Sequence, residues 1–131
     1  MIPFSIGVAL AFALILFGKL TEYQNDRSFF PTILIVIASY YVLFAISAES
    51  NWTLLIEIAV ALFFSVLGIW AGYRIPMVVG AAIALHGFFD FVHGYLYENT
   101  GVPIWWPAFC AGIDIPFGLW VMYFRYKTRN T

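Results

Sequence analysis

The chain has 131 residues, of which 63% are hydrophobic and 10% charged, with a net charge of −1; ordinary soluble domains are about 45–50% apolar and about 25% charged. So short a chain cannot enclose this much apolar surface in a core of its own, so the bilayer must act as solvent for most of it. The near-zero net charge and the lack of a basic run exclude nucleic acid as a partner, and a single cysteine, Cys110, excludes an intramolecular disulfide.

Five apolar segments follow in chain order, each close to the ~20 residues that cross the hydrocarbon. They are Ile2–Leu20, Phe29–Ala48, Leu54–Tyr73, Met77–Tyr97 and Pro107–Phe124. Their continuous apolar runs lack the dyad alternation of a membrane barrel. The first segment lacks the basic n-region and small-residue cleavage site of a signal peptide. Between the first two, Asp26 or Ser28 is the expected N-cap, with Pro31 near the helix start. Of Tyr40 and Tyr41, near the middle of the second segment, at least one should face the bundle and hydrogen-bond there. The expected architecture is all-α, a polytopic integral membrane protein in which residues 1–131 form one domain of five transmembrane helices.

Charge orients it. Lys19 and Arg27 fall in the first loop, Arg74 in the third, and Arg125, Lys127 and Arg129 in the tail, all on one side of an odd number of spans. The positive-inside rule then makes the N-terminus external and the C-terminus cytoplasmic. The external loops carry Glu49 and Glu98 with the aromatic anchors Trp52, Trp105 and Trp106. Trp105 and Trp106 are expected to form an interfacial belt, with a lid over the polar residues beneath as the alternative. Asn99-Thr100-Gly101 lacks the Ser or Thr of a glycosylation acceptor.

The fourth segment is the unusual one. His86, Asp90 and His93 lie at i, i+4 and i+7, within about 60° of one another around a helix at roughly 100° per residue. Each such group at membrane depth costs about 2.5–3.5 kcal/mol on insertion scales and commonly marks a function. Counting inward at ~1.5 Å per residue, Asp90 and Asp114 lie about 10 Å below the outer boundary. Glu57 lies one turn into the third segment, His93 shallower than Asp90, and His86 nearer the midplane. Five ionisable groups from three helices thus converge on the outer half of the membrane. Gly80, Gly87 and Gly94 recur every seven residues on a flanking stripe suited to close helix packing. In the fifth segment Pro116 should kink the helix beside Asp114 by leaving the Gly112 carbonyl without its donor. Cys110, one turn from Asp114, is either a soft ligand or a small apolar filler.

Three readings of the cluster are open. Imidazoles with carboxylates suit a divalent transition metal: zinc, or iron or manganese if several carboxylates bind. His86, Asp90, His93 and Asp114 would then be the ligands, and Glu57 a further ligand or the catalytic base acting on a metal-bound water. The second reading is a proton relay or the polar end of a lipid- or quinone-binding cleft. The third is an interhelical hydrogen-bond network without a ligand.

At "NDRSFFPTILIVIASYYVLFA" and at "HGFFDFVHGYL…GVPIWWPAFCAGID", over nearly the whole chain, the sequence resembles small bacterial integral membrane proteins of the domain-of-unknown-function family 6010. The resemblance implies a multi-pass protein of the bacterial inner membrane and brings no activity with it. The functional expectation is therefore a membrane protein with a metal-binding polar site in the outer half of the bilayer, with catalysis on a lipid or other apolar substrate as its extension. Membrane lipid is the expected partner, with other membrane subunits or a second copy beside it. The alternative is a non-enzymatic accessory subunit of a larger membrane complex whose polar cluster is purely structural.

Overall fold

A computed structural model describes residues 1–48 and 50–129; Glu49, expected in an external loop, and the last two residues of the tail lie outside the described residues. Five helices account for most of it: α1 (Ile2–Leu20), α2 (Phe29–Ser47), α3 (Asn51–Arg74), α4 (Pro76–Leu96) and α5 (Trp106–Arg129), with a short 3₁₀ turn over Tyr23–Asn25. Each of the five is long and apolar enough to cross a membrane, and the described residues contain no strand.

Local chemistry explains the boundaries. Pro3 and Pro76 sit in the first turns of α1 and α4, where a missing amide proton costs nothing. Helix α3 begins three residues earlier than hydropathy suggests, because the Ser50 side chain accepts the Thr53 amide at 3.3 Å and caps it. Helix α5 runs five residues past Phe124, since Arg125–Arg129 suits a helix outside the hydrocarbon as well as inside it. It also continues through Pro116. Ser28 occupies the N-cap position of α2 without capping it. Instead Asp26 Oδ1 accepts both the Ser28 amide (2.7 Å) and hydroxyl (2.6 Å).

Helix α4 is the hub. It packs along α5 most extensively and also meets α3 and α2, while α5 carries α1 on its other side and α2 pairs with α3. Glycine makes the two α5 interfaces close. A Cβ on Gly118 would lie 2.6 Å from the Gly80 carbonyl oxygen, and one on Gly80 would lie 2.7 Å from that of Gly118, so neither position admits a side chain without parting α4 from α5. Gly7 of α1 and Gly112 of α5 meet the partner helix's backbone in the same way. Of the expected heptad stripe, Gly80 and Gly87 face α5, whereas Gly94 has nothing within 4 Å. The last turn of α4 has left the interface by then.

The two ends of the bundle differ. Towards the α3–α4 turn the interior is apolar, with the Phe30 ring meeting Phe117, Trp120 and Phe124 at 6.0–6.2 Å. Towards the α4–α5 loop it is polar, and α4 carries the polar groups there because half of its span is buried, the largest share of the five.

Candidate functional site

Glu57, His86, Asp90, His93 and Asp114 are all at most 2% exposed. The i, i+4, i+7 face of α4 turns inward as its spacing requires, and α3 and α5 supply the opposing carboxylates. The five residues form two groups.

The deeper group joins α4 to α5. His86 Nδ1 lies 2.9 Å from Asp114 Oδ2 and 3.6 Å from Asp90 Oδ2. One ligand atom from each of these three residues falls within 4.8 Å of the others, so His86, Asp90 and Asp114 could together hold a metal ion. Two adjacent ligands at ~2.0–2.1 Å from a tetrahedral zinc are about 3.3–3.4 Å apart. The two separations, 2.9 and 3.6 Å, lie on either side of that value, the shorter being the His86–Asp114 hydrogen bond. Asp90 Oδ2 and His86 Nε2 are buried without any hydrogen-bond partner; a buried polar atom left unpaired costs about 1–3 kcal/mol.

The shallower group joins α4 to α3 and to the α4–α5 loop. His93 Nε2 meets Glu57 Oε1 at 2.8 Å, the Tyr97 hydroxyl donates to Glu57 Oε2 at 2.9 Å, and Asn99 Nδ2 donates to Glu57 Oε1 at 2.7 Å. Both Glu57 oxygens are thereby engaged. Asn99, in the loop, also accepts the Gly101 amide through Oδ1 at 3.2 Å. His93 stands apart from the deeper trio for a geometric reason. Seven residues carry it roughly 10.5 Å along the helix from His86, where its Nε2 meets Glu57 rather than the trio. Glu57, expected as ligand or general base, is likewise held by His93, Tyr97 and Asn99.

Tyr41 of α2 links the groups. Its hydroxyl donates to Asp90 Oδ1 at 2.7 Å, its ring stacks on that of His93 with centroids 4.2 Å apart, and its carbonyl oxygen accepts Asn99 Nδ2 at 3.3 Å. It is the inward-facing tyrosine of the expected pair; Tyr40 is exposed and packs edge-on against Trp106 at 5.1 Å. No family model, curated protein or solved structure matches the chain. The site has to be read from its own geometry.

That geometry leaves an excess of acid. Two carboxylates and one imidazole make up the deeper group, with no lysine or arginine among these contacts in the described residues.

Sequence reasoning missed Asn99, Tyr97 and the role of Tyr41. Asn99 is buried although it sits in a polar loop, and only its spacing from Gly101, an Asx-type turn, hints at an ordered side chain. Cys110 is buried and free. Trp105 is exposed, while Trp106 is half-buried and packs edge-on against Phe44 at 5.0 Å.

Beside the deeper group, a groove of about 600 Å³ opens between α3 and α4, walled by Phe63, Phe64, Leu85, Phe88, Phe89 and Val92. Its wall reaches the site, since the rings of Phe64 and Phe89 lie 4.9 and 6.0 Å from the His86 ring.

Proposed function

We propose that this is a metal-binding protein of the bacterial inner membrane, with its N-terminus external, in which His86, Asp90 and Asp114 hold one divalent transition metal in the outer half of the bilayer. The observation that carries the reading is the convergence of one ligand atom from each of the three residues, beside an Asp90 Oδ2 that has no hydrogen-bond partner. Three protein ligands are the number that catalytic rather than structural zinc sites use, so His86, Asp90 and Asp114 would suit such a metal. Tyr41 is the orienting contact behind Asp90, as groups beyond the ligands commonly are.

Every lysine and arginine falling on one side supports the orientation. The His-Gly…Asp…His and Trp-Trp-Pro…Cys…Asp patterns support placing the chain with the domain-of-unknown-function family 6010, and so in a bacterial inner membrane. The apolar groove against Phe64 and Phe89 supports a lipid or other apolar substrate, which would approach His86 from between α3 and α4. A metal held by His86, Asp90 and Asp114 would supply Lewis-acid chemistry at that end of the groove. Glu57 and His93 would lock the loop over the site.

A second reading has an observation of its own. Both oxygens of Glu57 are engaged by hydrogen bonds, as a purely structural network requires, and an accessory subunit would need no more than that. Cobalt substitution separates the two. Purified protein loaded with Co²⁺ should develop visible absorption bands of a tetrahedral nitrogen–oxygen site, and Asp114→Asn should abolish them. A colourless wild type at saturating Co²⁺ supports the structural network instead.

A further inference from the structure

The opposite end of the bundle carries a second assembly. Four of the six lysines and arginines in the chain line a single groove of about 910 Å³: Arg27 from the α1–α2 loop, Arg74 at the end of α3, and Arg125 and Arg129 of α5. They are scattered through the sequence and brought together by the fold. The positive-inside tendency requires them only to share a side of the membrane; it does not require them to share a groove.

The groove is short of negative charge. No Asp or Glu lines it among the described residues. The nearby Asp26 carboxylate is taken up by the Ser28 hydroxyl and amide, which hold its carboxyl below the usual carboxylate range. Arg125 instead donates to the Asp26 main-chain oxygen at 3.1 Å through Nη2, while its buried Nε hydrogen-bonds nothing. The first turn of α4, at Pro76 and Met77, opens into the same space, adding the positive end of a helix dipole. Apolar flanks are present as well, since Ile75, Met77 and Tyr126 line the groove and are exposed.

We propose that this groove binds the phosphate headgroup of an anionic phospholipid, with the arginines on the phosphate and the Ile75–Met77 edge against the glycerol and upper acyl chains. Arginine suits the task because its planar fork meets phosphate oxygens in pairs. Basic pockets between helices at the cytoplasmic boundary are the kind of place that takes such headgroups. A free phosphate would satisfy the arginines alone and leave the apolar edge without a role, which is why the lipid is favoured. The proposal stands independently of the metal reading, because the groove lies at the other end of the bundle.

The test is calorimetric titration of the full chain in a non-ionic detergent with short-chain phosphatidylglycerol, short-chain phosphatidylcholine and inorganic phosphate. Phosphatidylglycerol should bind at least tenfold tighter than phosphatidylcholine. Arg74→Gln and Arg27→Gln, both at exposed side chains, should each weaken it about fivefold, from roughly 1 kcal/mol per basic residue at the surface. Lys19→Gln, on the same side but outside the groove, should leave affinity unchanged. Equal binding of the two lipids, or a Lys19→Gln loss as large as the arginine losses, would overturn the proposal in favour of diffuse charge. Displacement of phosphatidylglycerol by an equal concentration of inorganic phosphate would overturn it in favour of a soluble phosphate ligand.

Discussion

The two polar groups at the α4–α5 loop end use the same residue types and differ in how completely they are satisfied. In the shallower one, three side chains converge on Glu57 and both of its oxygens are engaged. In the deeper one, Asp90 Oδ2 and His86 Nε2 have no partner, and two carboxylates face one imidazole. A satisfied network holds helices together and needs nothing more. One with two buried atoms unpaired in the same apolar surroundings leaves room for a further partner. On that difference the proposed metal site takes in His86, Asp90 and Asp114 and leaves Glu57 and His93 to the network.

The largest effect should come from filling the deeper group. At a zinc concentration about 100 times Kd, a ligand that binds only the folded state stabilises it by about 2.7 kcal/mol. Thermal melting of wild type in detergent should rise accordingly and fall back with chelator, whereas Asp114→Asn should not respond to either. His93→Ala should still respond, which sets it apart from a ligand. A loss of the zinc response in His93→Ala would merge the two groups into one site.

Next in size is Glu57→Ala. Three hydrogen bonds at about 0.6 kcal/mol each put the loss on the order of 2 kcal/mol, measured by melting with chelator present. The α4–α5 loop should loosen with it, since Asn99 loses its Glu57 anchor, and hydrogen exchange at Gly101 should quicken. The zinc response should survive.

Tyr41→Phe is the smallest perturbation and the sharpest, because it removes only the hydroxyl that Tyr41 donates to Asp90. Stability should fall by about 0.6 kcal/mol for the single bond lost to Asp90. Zinc affinity should fall about tenfold, the lower end of what removing an orienting contact does. A normal affinity in this variant would mean that Asp90 needs no orienting contact.

Much of this was legible before any coordinates. Hydropathy places all five helices, and the spacing of His86, Asp90 and His93 puts them on one buried face, because both patterns follow from local helix geometry. The division of the cluster was less visible. It depends on which carboxylate arrives from α3 and which from α5 to meet each imidazole, a matter of tertiary packing. Asn99 was hidden for a different reason: loop polarity predicts exposure, and nothing periodic signals a loop that folds back onto Glu57. Gly94 shows the converse error. Its heptad spacing from Gly87 promised a contact, but α4 diverges from its neighbour within that turn. The arginine groove had no sequence signal, since its four members come from three separate segments.

The central claim is that the deeper group binds a metal ion and the shallower group does not. Metal content by mass spectrometry of the purified protein, for wild type, Asp114→Asn and Glu57→Gln side by side after one equivalent of zinc and desalting, tests it most directly. The account predicts close to one zinc per chain in wild type and in Glu57→Gln, and none in Asp114→Asn. A metal-free wild type, or equal loss in both variants, would contradict it.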